Sequence, residues 1–266
     1  MAGEGLSNRV FRLRAERGTF YLRLPHPDNP ARIDRLAEAH NLGLAADLGV
    51  ALTALYCDPA SGILATRAVP AEASAGADMP ERLGTALGRL HVSGAAFRGR
   101  LDPEETLDAL RAELPPSKGL PEELTPLEHA LARLARLPGA LRQGPMVPSH
   151  GDPSPGNCLL TGETFRLIDW EYSAMAEPAW DLAYAILEHG FTARQERAFL
   201  DSYRAGGAAQ LCPAPETLAL MKARCGAVSA FWAYGQLAAG RDREVYLPFA
   251  RARRDRVLEL VEALTG

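Results

Sequence analysis

The stretch His150-Gly151-Asp152-Pro153-Ser154-Pro155-Gly156-Asn157-Cys158-Leu159-Leu160, continued by Phe165-Arg166-Leu167-Ile168-Asp169-Trp170-Glu171-Tyr172, decides how this chain is read. It interrupts a sequence otherwise patterned as helices. Pro148, Pro153 and Pro155, with Gly151, Gly156 and Gly162, exclude a helix between 148 and 178. Two apolar runs, 158–160 and 165–168, flank Thr161-Gly162-Glu163-Thr164, so a β-hairpin is expected. Its second strand ends at Asp169 and returns that carboxylate beside Asn157. An irregular segment inside a helical region is where binding and catalysis concentrate.

Asp152 and Asn157 stand in the spacing D-x-x-x-x-N, which a kinase catalytic loop uses. Phosphoryl transfer to an alcohol requires an aligned hydroxyl, an acceptor for its proton, and oxygen ligands for Mg²⁺, a hard cation. On this reading Asp152 orients the alcohol and takes its proton, Asn157 holds a metal, and Asp169 is the metal-bridging carboxylate. Taken singly, each has a plainer reading as a turn residue, a cap or a buried hydrogen-bond hub. Spacing, hairpin and loss of helicity together favour the chemical one.

Farther out, β-like runs at 9–13 and 19–24 surround the turn Glu16-Arg17-Gly18. A helix is expected at 33–44, with Ile33, Leu36, Ala37 and His40 on one face, and further strands at 50–56 and 62–68. Residues 69–80, rich in Ala, Pro, Glu and Gly, fit a linker. Helices are expected at 82–97 with Leu83, Leu87 and Leu90 inward, after the cap Asp102-Pro103, and at 127–137, 178–188, 192–204, 215–237 and 243–264.

The motif HGDPSPGN, followed by LIDWEYSAMAEPAWDLAY, resembles the aminoglycoside phosphotransferase and choline kinase superfamily. The form Ile168-Asp169-Trp170-Glu171-Tyr172 is most similar to its bacterial choline and ethanolamine kinase branch. The resemblance implies an α+β, protein-kinase-like bilobal fold: a small antiparallel-sheet nucleotide lobe at 1–69, a linker at 70–80 and a helical lobe at 81–266 carrying the catalytic loop and acceptor pocket. It implies ATP and Mg²⁺ as cofactors, and a small-molecule alcohol, choline or ethanolamine, as acceptor. Gly5-Leu6-Ser7-Asn8 resembles the phosphate-covering loop, so Ser7 and Asn8 are expected at the nucleotide. The chain begins almost at this loop, where the family has a preceding strand, so either the N-terminus as given is short or the sheet lacks its first strand. Arg23 stands where protein kinases carry a strand lysine, and Glu38 is its expected helix partner. Thr66 and Ala68 belong to the expected hinge that reads adenine, and His91 is expected to be structural. For a quaternary ammonium, aromatic faces and a carboxylate are needed; the candidates are Glu171, Tyr172, Trp232 and Tyr234. Trp232 matches the first position of the W-x-x-W helix motif, while Gly235 occupies the second.

Bulk properties narrow the alternatives. Across 266 residues the net charge is −4, which argues against a nucleic-acid partner. Lys118 and Lys222 are the only lysines, so no phosphate-binding lysine is available in the first hundred residues and an arginine must serve. The four cysteines form no CxxC or zinc spacing, as expected of reduced thiols in a cytoplasmic protein. No apolar run reaches membrane-span length and no signal peptide is apparent, so no membrane partner is expected. A monomer or homodimer is expected. The rivals are the same chemistry on thiamine, an aminoglycoside or another alcohol, and a nucleotide-binding pseudokinase.

Overall fold

The computed structural model describes residues 3–4, 8–26, 33–69, 78–114, 120–137 and 144–266. Ser7 and most of the expected 70–80 linker lie outside them. The chain forms two compact units. The first combines residues 1–100, 147–175 and 191–210; the second combines 101–146, 176–190 and 211–266.

In the first unit an antiparallel sheet has the order β1-β2-β3-β5-β4. Its strands are β1 (Gly3–Glu4), β2 (Asn8–Ala15), β3 (Gly18–Pro25), β4 (Ala54–Asp58) and β5 (Ile63–Arg67). Of the two alternatives for the start of the chain, a sheet without a strand before β2 is corrected, because Gly3 and Glu4 pair with Val10 and Arg9 of β2. The expected strand at 50–56 is also shorter. Val50 and Ala51 leave the sheet: the Val50 carbonyl accepts from Leu167 N at 2.8 Å, and Ala51 bridges Leu167. Both are buried, and their backbone anchors the 158–167 hairpin instead.

Helix α1 (Arg35–Asp47) starts at Asp34, whose carboxylate accepts from Leu36 N and Ala37 N. Of the face formed by Ile33, Leu36, Ala37 and His40, Ala37 is buried, Ile33 and His40 are half-buried and Leu36 is turned outward. Leu36 is 63% exposed, while Ala37, Glu38, Asn41, Leu42 and Ala45 are buried. Partners explain the rotation. Glu38 is paired with arginines, and Asn41 accepts from Arg98 N at 2.8 Å while donating to Ser173 O at 2.9 Å. A buried polar side chain is tolerated when so satisfied.

Helix α2 (Met79–His91) buries Leu83, Leu87 and Leu90. It ends at His91, before the expected 97, and His91 Nδ1 lies 2.9 Å from the Tyr203 hydroxyl. The helix packs on α6 (Ala193–Tyr203), which opens with the Thr192/Gln195 capping box. The contact is tight: a Cβ on Gly84 would stand 2.3 Å from the Phe199 carbonyl oxygen.

The second unit holds α3 (Pro103–Glu113), α4 (Leu120–Leu134), α5 (Pro178–Glu188), α7 (Pro215–Ala238) and α8 (Arg243–Thr265). Asp102 caps α3 as the sequence suggests, accepting from Glu104 N and Glu105 N. Helices α7 and α8 pack around Ala233, Tyr234 and Ala250. No helix among the described residues is long and apolar enough to cross a membrane.

Two glycine replacements should have opposite signs. Gly84→Ala forces an overpacked contact against backbone and should cost about 1–3 kcal/mol. Gly235→Ala, where a Cβ meets nothing within 4 Å, should gain roughly 0.5–1 kcal/mol of helix stability. Denaturant melts of both variants check the pair.

Candidate active site

The site of the first unit is built on the hairpin predicted from sequence. After β6 (Val147–Ser149), strands β7 (Cys158–Thr161) and β8 (Thr164–Leu167) pair Cys158 with Leu167 and Thr161 with Thr164. Beyond the ladder, Ile168 N donates to Asn157 O at 2.9 Å. This bond brings the Asn157 backbone and the start of the Asp169 turn together. Asp169 then adopts φ 64°, the only positive φ of a non-glycine residue among those described. A left-handed aspartate at a strand end is the kind of outlier that surrounding structure must impose, and such outliers cluster at functional sites.

The catalytic loop is held from both ends. Asn157 Nδ2 donates to the Asp152 carbonyl and to Asp152 Oδ2, each at 2.9 Å. His150 braces the loop: its Nδ1 accepts from Asp152 N at 3.3 Å, which assigns the proton to Nε2, the donor to Ile168 O at 3.0 Å. Its ring meets Trp170 edge-on at 4.6 Å. Gly151 is required here. Its φ is +86°, and a Cβ would stand 2.3 Å from the Tyr172 carbonyl oxygen.

Arg23 of β3 meets Glu38 of α1 through both carboxylate oxygens: Nη1 to Oε1, and Nη2 to Oε2 at 2.9 Å. Arg23 Nη1 also lies 3.5 Å from Asp169 Oδ1. Arg35, which the sequence reading missed, joins Glu38 at 2.7 Å and Glu171 at 3.3 Å. The signal available was its i,i+3 placement before Glu38. Burial alone would raise the Glu38 pKa, but hydrogen bonds and charge from Arg23, then Arg35, hold it below the usual range. Asp169 shows the opposite balance. Desolvation first, then the Glu171 charge, push its carboxyl up to about 7 against the pull of Arg23. Yet 38% of that side chain is open to solvent, so it is crowded on one side and accessible on the other.

Other expected residues divide. The Asn8 side chain is buried, donating to Glu171 and accepting from Arg35, so it is engaged within the protein. Glu171, expected at the acceptor, is engaged in the same way. Thr66 lies in β5 opposite Tyr21, and the Ala68 N–H donates to Thr19 O at 2.9 Å, so that donor serves the sheet. Tyr172 is 44% exposed. In the second unit Trp232 is half-buried, edge-on to Tyr246 and Phe249. Tyr234 is fully buried in the core, its hydroxyl donating to Glu123 at 3.3 Å. Burial pushes that hydroxyl up to about 12. Tyr234 therefore packs the core, and its ring has no open face.

Among the described residues no three or more His, Cys, Asp or Glu side chains converge as a metal cage. Mg²⁺ does not need one, since it takes one or two carboxylates together with substrate phosphates. The amide oxygen of Asn157 and the carboxylate of Asp169 are hard donors that fit such an ion.

Comparison with known proteins places the chain in a family. The profile of the phosphotransferase enzyme family (APH) matches residues 2–221. The protein LicA of Haemophilus influenzae is 27% identical over 209 residues; the match covers 74% of this chain and 59% of that protein's length. The structure of a choline/ethanolamine kinase family protein from Mesorhizobium loti is 28% identical with a TM-score of 0.75, covering 98% of this chain and 90% of that one. The choline kinase LicA from Streptococcus pneumoniae shares the fold, with a TM-score of 0.80 at 22% identity, covering 99% and 93%.

Two outcomes follow from the site. Gly151→Ala should displace the Asp152 loop and lower stability by about 1–3 kcal/mol, read by thermal melting together with loss of activity. Glu38→Gln should cost roughly 3–5 kcal/mol at neutral pH by leaving Arg23 without its buried carboxylate. Because the folded Glu38 pKa is depressed, its contribution is present above the unfolded value and lost as pH falls through the folded one. The difference in Tm between the two proteins should narrow accordingly on acidification.

Proposed function

Since this chain belongs to the phosphotransferase enzyme family, we propose that it is an ATP-dependent small-molecule kinase acting on the hydroxyl of an amino-alcohol such as choline or ethanolamine. One observation carries the reading: Asp152, Asn157 and Asp169 are locked to one another by the Asn157 bonds and the Ile168–Asn157 contact, with Arg23 facing Asp169. The names of the similar proteins support the acceptor class.

Each residue has a part. Asp152, fixed by Asn157 and His150, orients the acceptor hydroxyl and takes its proton as its oxygen bonds to the γ-phosphorus of ATP, while the bond from that phosphorus to the β,γ-bridging oxygen breaks and ADP leaves. Arg23, positioned by Glu38, meets the nucleotide phosphates, the work that a lysine does in other kinases. Asn157 and Asp169 would hold Mg²⁺, which when bound neutralises phosphate charge. Little covalent work remains for the protein, so rigid placement dominates. Exposed Tyr172, in the first unit, is the proposed aromatic face for the acceptor's ammonium group. Monomer or homodimer, and a cytoplasmic location, complete the proposal.

The same chemistry on thiamine, an aminoglycoside or another alcohol is a second reading. Gly235 favours it, because the second tryptophan of W-x-x-W is absent and open space stands in its place.

ADP release should be measured with choline, ethanolamine, thiamine and aminoglycosides. The expected result is turnover on an amino-alcohol. No turnover on any acceptor would sink the kinase reading, and Mg-ATP binding without turnover would identify a pseudokinase. Asp152→Ala should lower kcat by about 10²–10⁴-fold while keeping nucleotide binding. Asp169→Ala should lose the metal-dependent part of that binding. An unchanged kcat in Asp152→Ala would refute the base assignment.

A further inference from the structure

Arg23 accounts for the phosphate contact, yet a second guanidinium is buried against the same carboxylate. Arg35 Nη1 donates to Glu38 Oε2 at 2.7 Å and lies 3.3 Å from Glu171 Oε2. Its Nη2 donates to Asn8 Oδ1 at 3.1 Å, and Asn8 Nδ2 donates to Glu171 Oε2 at 2.7 Å. Arg35, Asn8 and Glu171 thus close a ring drawn from α1, the first residue of β2, and the turn after Asp169. The Arg35 and Glu171 side chains are 15% and 3% exposed. The β4–β5 turn covers the Arg35 stem, for a Cβ on Gly62 would stand 3.2 Å from Arg35 Nε.

The arrangement solves a charge problem. Arg23 is engaged by both oxygens of Glu38 and faces Asp169. If it turns to a phosphate, Glu38 loses its main counter-charge while buried, which is costly for a lone carboxylate. Arg35 already reaches Glu38 and Glu171 and needs no rearrangement to compensate both.

We propose that Arg35 is a positioning residue for the nucleotide: it keeps Glu38 and Glu171 charge-compensated while Arg23 engages phosphate, and through Asn8 and Glu171 it ties the strand after the phosphate-covering segment to the turn that carries Asp169. Glu171 consequently serves nucleotide binding and not acceptor recognition. This rests on the kinase reading for the identity of its ligand.

Titration calorimetry with Mg-ATP, steady-state kinetics and thermal melts of Arg35→Gln, Arg35→Lys, Asn8→Ala, Glu171→Gln and the Asn8→Ala/Glu171→Gln double variant form the test. Arg35→Gln should weaken Mg-ATP binding at least about tenfold, the scale of one charge-assisted contact. The KM for ATP should rise in parallel, with the acceptor KM within about twofold, because only nucleotide binding is affected. Arg35→Lys should recover part of the loss. The Asn8/Glu171 double variant should be no weaker than the worse single, as expected of partners in one ring. Unchanged Mg-ATP affinity in folded Arg35→Gln, or an acceptor KM that rises alone in Glu171→Gln, would overturn the inference. If Arg35→Gln does not fold, Asn8→Ala decides by the same criteria. Should the unaltered protein bind Mg-ATP but phosphorylate no acceptor, the kinase reading falls and the binding arm still decides this one. No Mg-ATP binding by the unaltered protein overturns both.

Discussion

The buried pair between Arg23 and Glu38 is the constraint on which the first unit depends. A carboxylate inside a protein is tolerated only beside a counter-charge and hydrogen-bond donors. Glu38 can be buried because β3 presents Arg23, and α1 must therefore turn Glu38 inward at the expense of Leu36, which is left exposed. The pair sets the rotation of the helix, and the helix sets Arg35 and Asn41. Three carboxylates, Glu38, Asp169 and Glu171, share two guanidinium groups, Arg23 and Arg35. Desolvation first, and then the neighbouring Glu171 charge, push the Asp169 carboxyl upward, while Arg23 and Arg35 hold Glu38 down. A site one positive charge short is electrostatically suited to a cation.

The catalytic segment achieves rigidity differently. Its residues have little helix or sheet to hold them, so backbone and side-chain hydrogen bonds do the work. Asn157 ties Asp152, His150 ties Asp152 to Ile168, and Val50 anchors the hairpin through Leu167. Gly151 is needed because the Tyr172 carbonyl passes where a side chain would be. Such preorganisation matters most where the protein's task is placement.

The second unit divides its aromatic residues between packing and exposure. Tyr234 fills the α7–α8 core, while Trp232, two residues before it, stands half-buried against Tyr246 and Phe249. Neighbours in a motif on one helix thus face different surroundings.

The sequence by itself determined the local features, because they are encoded over a few residues. The Asp102 and Thr192 caps, the Gly162 turn, the hairpin and the D-x-x-x-x-N spacing with Asp169 are all short-range patterns of backbone preference and side-chain chemistry. The Arg23–Glu38 pair was legible through the family resemblance, with the scarcity of lysine supporting an arginine in that place. Tertiary structure alone decided the inward face of α1, the departure of Val50 and Ala51 from the sheet, and the engagement of Asn8 and Glu171 with Arg35. Those outcomes depend on partners distant in the chain: 163 residues separate Asn8 from Glu171. Whether a polar residue faces inward depends on whether such a partner meets it there. Periodicity within one helix contains no information about that partner, so only the folded chain could supply it.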